Sequence, residues 1–434
     1  MKTSGLRRGI IGLVACLSLT GSFNPAVLAQ PHIPLAGSSE SAATAPNVAG
    51  SSDISAATPS LPGSSEPRLP KAPIDVYHQL VGAVMNAPGV PQFLEHTFHQ
   101  FQQNPHLSAL RAPSFFASDA WYNPLPPIDF AQPRVVKIEN DEGLRVERWF
   151  IESPAMRRTV EIQVMRAYNS AAPAPMIYLF DGATAPSRNG WLRRGEIEKT
   201  FATEQVTAIM PTQASGSSYI DWTYEDAKIQ KPMWETFLTK ELPPLLEDPA
   251  RGLNFNGKRF IGGLSMGAGG AIRLANANPD MFHGVIGLSG CYSNSTPMGR
   301  FMVEAIAHSV NADHSNLFGS GPNPMRQRYD VVKHPEGLSK MPVYLFSADG
   351  HVTQRDIDAY RNESLEGLPG AVLLETATFK CTHELDDALK AHNHQQYKVV
   401  YQHGGVHDWA YYAEQMPLAW KYISEAGDAW NQRR

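Results

Sequence analysis

The stretch Phe260-Ile261-Gly262-Gly263-Leu264-Ser265-Met266-Gly267-Ala268-Gly269-Gly270-Ala271 runs from an apolar strand through a tight turn into an Ala/Gly-rich helix start. Gly263-x-Ser265-x-Gly267 in that setting predicts a nucleophile elbow. Gly263 and Gly267 flank the serine because a Cβ at either position would meet neighbouring backbone in so tight a turn. The backbone N–H of Met266, at the helix N-terminus, would then face the oxyanion that develops when Ser265 attacks a carbonyl. An ordinary serine in a glycine-rich turn leaves the small residues on both sides unexplained.

Working outward, the chain after Pro133 alternates short apolar runs with helix-like segments. Leu144 to Glu152, Arg158 to Arg166, Met176 to Phe180 and Gln205 to Met210 read as strands, followed by Arg259 to Gly262, Gly284 to Leu288, Val343 to Phe346 and Tyr397 to Tyr401. Met233 to Leu246 reads as one of the intervening helices. The expected fold is α/β, an α/β-hydrolase fold with a mostly parallel central sheet and helices on both faces. No fixed-period repeat is visible.

A serine is a weak nucleophile until a base takes its proton, and in this fold the histidine comes last in chain order. Of 15 histidines, His407 stands in a loop after the final strand, within Tyr401-Gln402-His403-Gly404-Gly405-Val406-His407-Asp408-Trp409. His403 is the alternative, and His383, His392 and His394 read as solvated surface. For the acid, Asp349 ends the Val343 to Gly350 stretch at the usual α/β-hydrolase position. Glu375 in Leu373-Leu374-Glu375-Thr376 also satisfies the chain order.

The N-terminus carries a basic start, an apolar run from Ile10 to Thr20 and Val27-Leu28-Ala29 before Gln30, which together predict a secretory signal over residues 1–29. Leu13-Val14-Ala15-Cys16 offers a competing lipoprotein reading with Cys16 acylated. Residues 30–72 are Ser/Ala/Pro-rich, with too little apolar surface to offset ordering entropy, and read as a flexible linker. Residues 73–133 read as a helical extension: Val76, Leu80, Val81, Val84 and Met85 recur at helical spacing, as do Phe93, Leu94, Thr97, Phe98 and Phe101. His96 and His99 lack the partners a metal needs and read as a solvated face. Residues 134–434 make the catalytic domain.

Removing signal and linker leaves roughly 360 residues to fold, enough for a large α/β domain. Against 37 Lys+Arg stand 42 Asp+Glu, a formal charge of −5 that gives no basic footprint for nucleic acid. With Cys16 in the signal, Cys291 and Cys381 are the only cysteines of the mature chain, and an oxidising compartment favours one disulfide between them over two buried thiols. No cofactor and no metal are expected, and the protein is expected to be a monomer.

Several blocks carry a family resemblance: Tyr178-Leu179-Phe180-Asp181-Gly182, Asn189-Gly190-Trp191, Tyr219-Ile220-Asp221-Trp222, the run from Trp234 to Pro243 (WETFLTKELP), Leu288-Ser289-Gly290 and His407-x-Trp409-x-Tyr411. Together with the serine motif they resemble the mycolyltransferases of the antigen 85 group, most closely the corynebacterial ones, in collinear order from about Leu144 onward. The resemblance implies Glu375 as the acid, the N–H of Ala183 as second oxyanion donor, and Asp181 and Trp409 as substrate-binding residues. It implies trehalose mycolates as donor and acceptor, arabinogalactan as a further acceptor, and a secreted, cell-envelope enzyme associated with the outer mycomembrane. One departure stands out: antigen 85 proteins have a bulky Leu and an Arg after Asp-Gly, where this chain has Ala183-Thr184. The region 73–133 has no counterpart in the compact mycobacterial proteins.

Overall fold

A computed structural model describes residues 71–89, 126–141, 145–319, 323–362 and 367–430. The secretory signal, the linker up to residue 70, the second N-terminal helix and the His96/His99 pair lie outside the described residues. The chain divides into two compact units, Met1–Ile74 and Asp75–Arg434. Of the first, only residues 71–74 are described, as the opening turn of a helix.

The second unit is built on a nine-stranded sheet: β1 (Arg134–Asn140), β2 (Val146–Ser153), β3 (Arg158–Met165), β4 (Ala174–Phe180), β5 (Thr207–Pro211), β6 (Phe255–Leu264), β7 (Val285–Leu288), β8 (Val343–Ala348) and β9 (Tyr397–Gln402), in spatial order β1-β2-β3-β5-β4-β6-β7-β8-β9. The six strands from β5 to β9 run parallel, and β1, β2 and β3 form an antiparallel flank. Every residue of β4 and β8 is buried, as expected of strands covered on both faces. Alternation along them divides the core: Met176, Tyr178 and Phe180 of β4 join Val343 and Leu345 of β8 on one face, and Ile177 and Leu179 join Tyr344 and Phe346 on the other.

Among the described residues five helices exceed eight residues: α1 (Lys71–Met85), α2 (Met266–Ala277), α3 (Pro297–His308), α4 (Gly367–Ala391) and α5 (Trp409–Ala426). Helices α2 and α4 pack on the first face through Ile272, Leu274, Leu385 and Leu389, and α5 covers the second through Tyr412, Met416 and Ala419.

Three expectations are corrected. The helix expected over Met233 to Leu246 is interrupted: Phe237–Glu241 forms a π turn between the α-helical pieces Trp234–Thr236 and Leu242–Glu247. Pro243 and Pro244 follow it, and since proline has no N–H and crowds the preceding turn, the widened turn lets the chain continue without a break. In α1, Val76 and Leu80 are 68% and 56% exposed; of the expected residues Val81 is buried, and His78 and Gly82 join it on the buried face. His394 is buried, with Nε2 at 2.7 Å from the Leu338 carbonyl, rather than solvated.

Candidate active site

Strand β6 delivers Ser265 at its C-terminal end, and α2 begins on the next residue. Ser265 has φ 54° and ψ −123°, a conformation that L side chains rarely adopt and that marks a nucleophile elbow. Its N–H donates to the Leu288 carbonyl at 2.8 Å and its carbonyl accepts the Gly269 N–H at 3.2 Å, so the neighbouring strand and the helix start fix the turn from both sides. A Cβ on Gly263 would stand 2.5 Å from the Gly267 carbonyl, and one on Gly267 would stand 2.4 Å from the Asp181 carbonyl. Both glycines are required by close backbone approach.

The end of β4 forms the opposite wall. A Cβ on Gly182 would lie 3.7 Å from Cβ of Ser265, which places the loop from Asp181 to Ala183 directly beside the serine. Neither the Ala183 nor the Met266 N–H is taken by an acceptor among the described residues. Asp181 is 1% exposed: its carboxylate accepts the N–H groups of Gly182 at 2.7 Å and Gly190 at 2.5 Å. Burial pushes its pKa up to about 6, against the opposing pull of those two N–H groups. Gly190 packs against Trp409, and Trp409 meets Trp191 edge to face with centroids 5.4 Å apart. Asp181 and Trp409 therefore frame one small wall, with the Asp181 carboxylate turned into the protein.

An imidazole–carboxylate pair comes from later elements. His407 lies in the loop between β9 and α5, and its Nδ1 is 2.7 Å from Oε2 of Glu375 on α4. Its other nitrogen, Nε2, is buried and has no partner among the described residues. Glu375 is fully buried, and its Oε1 accepts the Ser289 hydroxyl at 2.7 Å, the Ser347 hydroxyl at 3.0 Å and the Ala348 N–H at 2.7 Å. A buried carboxylate without hydrogen-bond donors is costly; here three donors meet Oε1, and Oε2 faces the imidazole and accepts the Thr378 hydroxyl at 3.3 Å.

Ser289, Ser347 and Ala348 are the residues that sequence reasoning does not single out. The signal is faint: Ser289 sits in the quoted Leu288-Ser289-Gly290 block, and Ser347 in the strand end before Asp349. The remaining alternatives pair with each other, Asp349 Oδ2 standing 2.7 Å from Nδ1 of His403. Cys291 and Cys381 are disulfide-bonded, with Cα atoms 4.9 Å apart, and join the loop after β7 to α4. The run from Trp234 to Pro243 proves to be packing: Glu235 is buried and receives hydrogen bonds from Arg328, Tyr329 and Asn278, while Glu241 receives those of Ser153 and the Ala155 N–H.

A strained serine between strand and helix, with an imidazole from the last loop paired to a carboxylate of α4, can carry out acyl transfer or ester hydrolysis. The fold and this arrangement define a member of the α/β-hydrolase class. The chain belongs to the Putative esterase family, whose model matches residues 153–423. It is 27% identical over 281 residues to the Diacylglycerol acyltransferase/mycolyltransferase Ag85A of Mycobacterium leprae, covering 63% of this chain and 81% of that protein. The Mycobacterium tuberculosis Ag85A is 27% identical over 282 residues, covering 63% and 79%. Among solved structures, Mycobacterium tuberculosis MPT51 superposes with a TM-score of 0.52 at 20% identity, covering 63% of this chain and 96% of that one. The S-formylglutathione hydrolase of Agrobacterium tumefaciens gives 0.50 at 15%, covering 68% and 99%. These two establish the fold.

Proposed function

We propose that the chain is an exported acyltransferase that moves a mycolyl group between trehalose esters, or to cell-wall arabinogalactan, through an acyl-enzyme on Ser265. The observation that carries the reading is the buried Glu375–His407 hydrogen bond, in a chain whose curated relatives are named mycolyltransferases.

In this mechanism Glu375 holds the His407 tautomer with its proton on Nδ1, which leaves Nε2 to take the Ser265 proton as the hydroxyl attacks the ester carbonyl. The N–H groups of Met266 and Ala183 stabilise the tetrahedral oxyanion. His407 then protonates the departing sugar oxygen and an acyl-Ser265 remains. A second hydroxyl enters, gives its proton to His407 and attacks the acyl carbonyl, and collapse returns Ser265 with its proton. Asp181 serves this scheme by fixing the backbone of the oxyanion loop, and Trp409 by lining the sugar side. With alanine and threonine at 183 and 184, the acceptor is held without the arginine of the antigen 85 pattern.

Export is supported by the N-terminal signal pattern and by the disulfide. Among the described residues no helix is long and apolar enough to cross a membrane. The family match favours a second reading, a secreted carboxylesterase of the same fold. Incubating the mature protein with trehalose monomycolate separates the two. Trehalose dimycolate plus free trehalose supports transfer, and free mycolate plus trehalose supports hydrolysis. No turnover overturns both and leaves a wall-binding or adhesin homologue.

A further inference from the structure

We infer that the segment from Asp75 to Asn86, which precedes the stretch matched by the family, is a brace that positions the Glu375–His407 pair. The inference rests on the reading of that pair as acid and base. Val81 of α1 is 5% exposed and packs with Val352, Leu368, Ala371, Val372 and Val406. Two of these neighbours adjoin the pair directly. The Ala371 carbonyl accepts the His407 N–H at 3.1 Å, and Ala371 lies about one helical turn before Glu375 on α4. Val406 is the residue immediately before His407.

Asn86, just past the end of α1, grips the loop after β8. Its Oδ1 accepts the Val352 N–H at 2.9 Å and its Nδ2 donates to the Val352 carbonyl at 3.0 Å, the pairing that a neighbouring strand would make. That loop is tied to the histidine loop in turn: Gly350 N–H donates to the Gly405 carbonyl at 3.1 Å, and Gly405 N–H to the His351 carbonyl at 2.8 Å. It is also continuous with Ala348, whose N–H holds Oε1 of Glu375. Glu375 and His407 thus hang from two loops and a helix start; the N-terminal segment is hydrogen-bonded to the first loop and shares one hydrophobic cluster with the second loop and the helix start. Loops at a strand end move easily unless something covers them, and an ångström of misplacement in a catalytic pair costs about a hundredfold in rate. Val81 and Asn86 are accordingly positioning residues.

The test compares the full mature chain with Asn86→Ala, Asn86→Asp and Val81→Asp, at a temperature well below each variant's melting point. Two readouts are taken: kcat and KM on p-nitrophenyl butyrate, and the low-field proton resonance of His407 Nδ1–H bridging to Glu375. Asn86→Ala is expected to lower kcat about tenfold with KM within about twofold, and Val81→Asp to lower it about a hundredfold. Asn86→Asp keeps the acceptor, loses the donor and falls between wild type and Asn86→Ala. In each the resonance shifts or broadens. If Val81→Asp does not fold, Asn86→Ala decides alone. A folded Asn86→Ala with unchanged kcat and an unchanged resonance overturns the inference, because a segment that merely stabilises the fold gives that result. A resonance that responds in a protein that leaves trehalose monomycolate untouched keeps the brace and removes the mycolyl-transfer reading.

Discussion

Asp349, at the end of β8, holds His403 and not His407: its Oδ2 lies 2.7 Å from Nδ1 of His403, and its Oδ1 accepts the N–H groups of His351 and Gly404, each at 3.0 Å. Burial favours the neutral carboxyl, but these hydrogen bonds and the His403 ring outweigh it and hold the group below the usual carboxylate range. The Asp349 carboxylate is thus engaged by its own loop, by the backbone of the loop after β9 and by an exposed histidine. The carboxylate that meets His407 comes instead from inside α4, and two carboxylate–imidazole pairs stand at one end of the sheet.

Glu375→Gln is therefore expected to be severely impaired, by about three orders of magnitude or more, because the amide cannot stabilise the imidazolium form of His407. Asp349→Asn should lose only a few-fold through loosening of its loop. Ester turnover of the two purified variants checks this, and the reverse ranking would return the acid to the strand end.

Asp181 gives a pH prediction. Its carboxyl is raised to about 6, so the folded protein binds its proton more tightly than the unfolded chain does. Its contribution to stability is then largest at low pH, falls as pH rises from about 4 to about 6, and is constant above. The carboxyl carbon resonance of Asp181, followed by NMR, should titrate with a midpoint near 6. A midpoint near the ordinary aspartate value would mean that the loop from Asp181 to Ala183 is open to water.

The fold was largely legible because β4 and β8 are continuous apolar runs and the elbow is spelled out from Phe260 to Ala271. Strand β1 was not: its Arg134–Asn140 sequence is largely polar and exposed, as an edge strand's is, so no apolar alternation announces it. Nor was the extent of α4, where Gly367, Pro369 and Gly370 open the helix and Thr376, Thr378 and Thr382 interrupt its good helix formers. The choice between Glu375 and Asp349 depends on which carboxylate the hydroxyls of Ser289 and Ser347 reach, a tertiary fact that chain order does not encode. Part of the buried face of α1 escaped because His78 and Gly82 do not register as apolar, while the exposed Val76 and Leu80 do.

The disulfide yields a redox prediction. Cys291 stands two residues beyond Ser289, and Cys381 six residues beyond Glu375, so the bond closes the same end of the sheet that holds the acid. Its loop spans 90 residues, and closing it restricts the unfolded chain by roughly 3 to 5 kcal/mol in the chain-entropy model. Ester turnover is expected to fall at lower reductant concentration than far-UV ellipticity does. Coincident losses would show that the bond serves only global stability.

In the proposed function, mycolyl transfer passes through Ser265. Mature protein is mixed with trehalose monomycolate, quenched in acid within the first turnovers, digested and mapped by mass spectrometry. The account predicts a mycolyl ester on the peptide carrying Ser265, absent from Ser265→Ala, with turnover of that variant lower by about 10⁴-fold while its fold is retained. An acyl group on another residue, or near-normal turnover by Ser265→Ala, would contradict it.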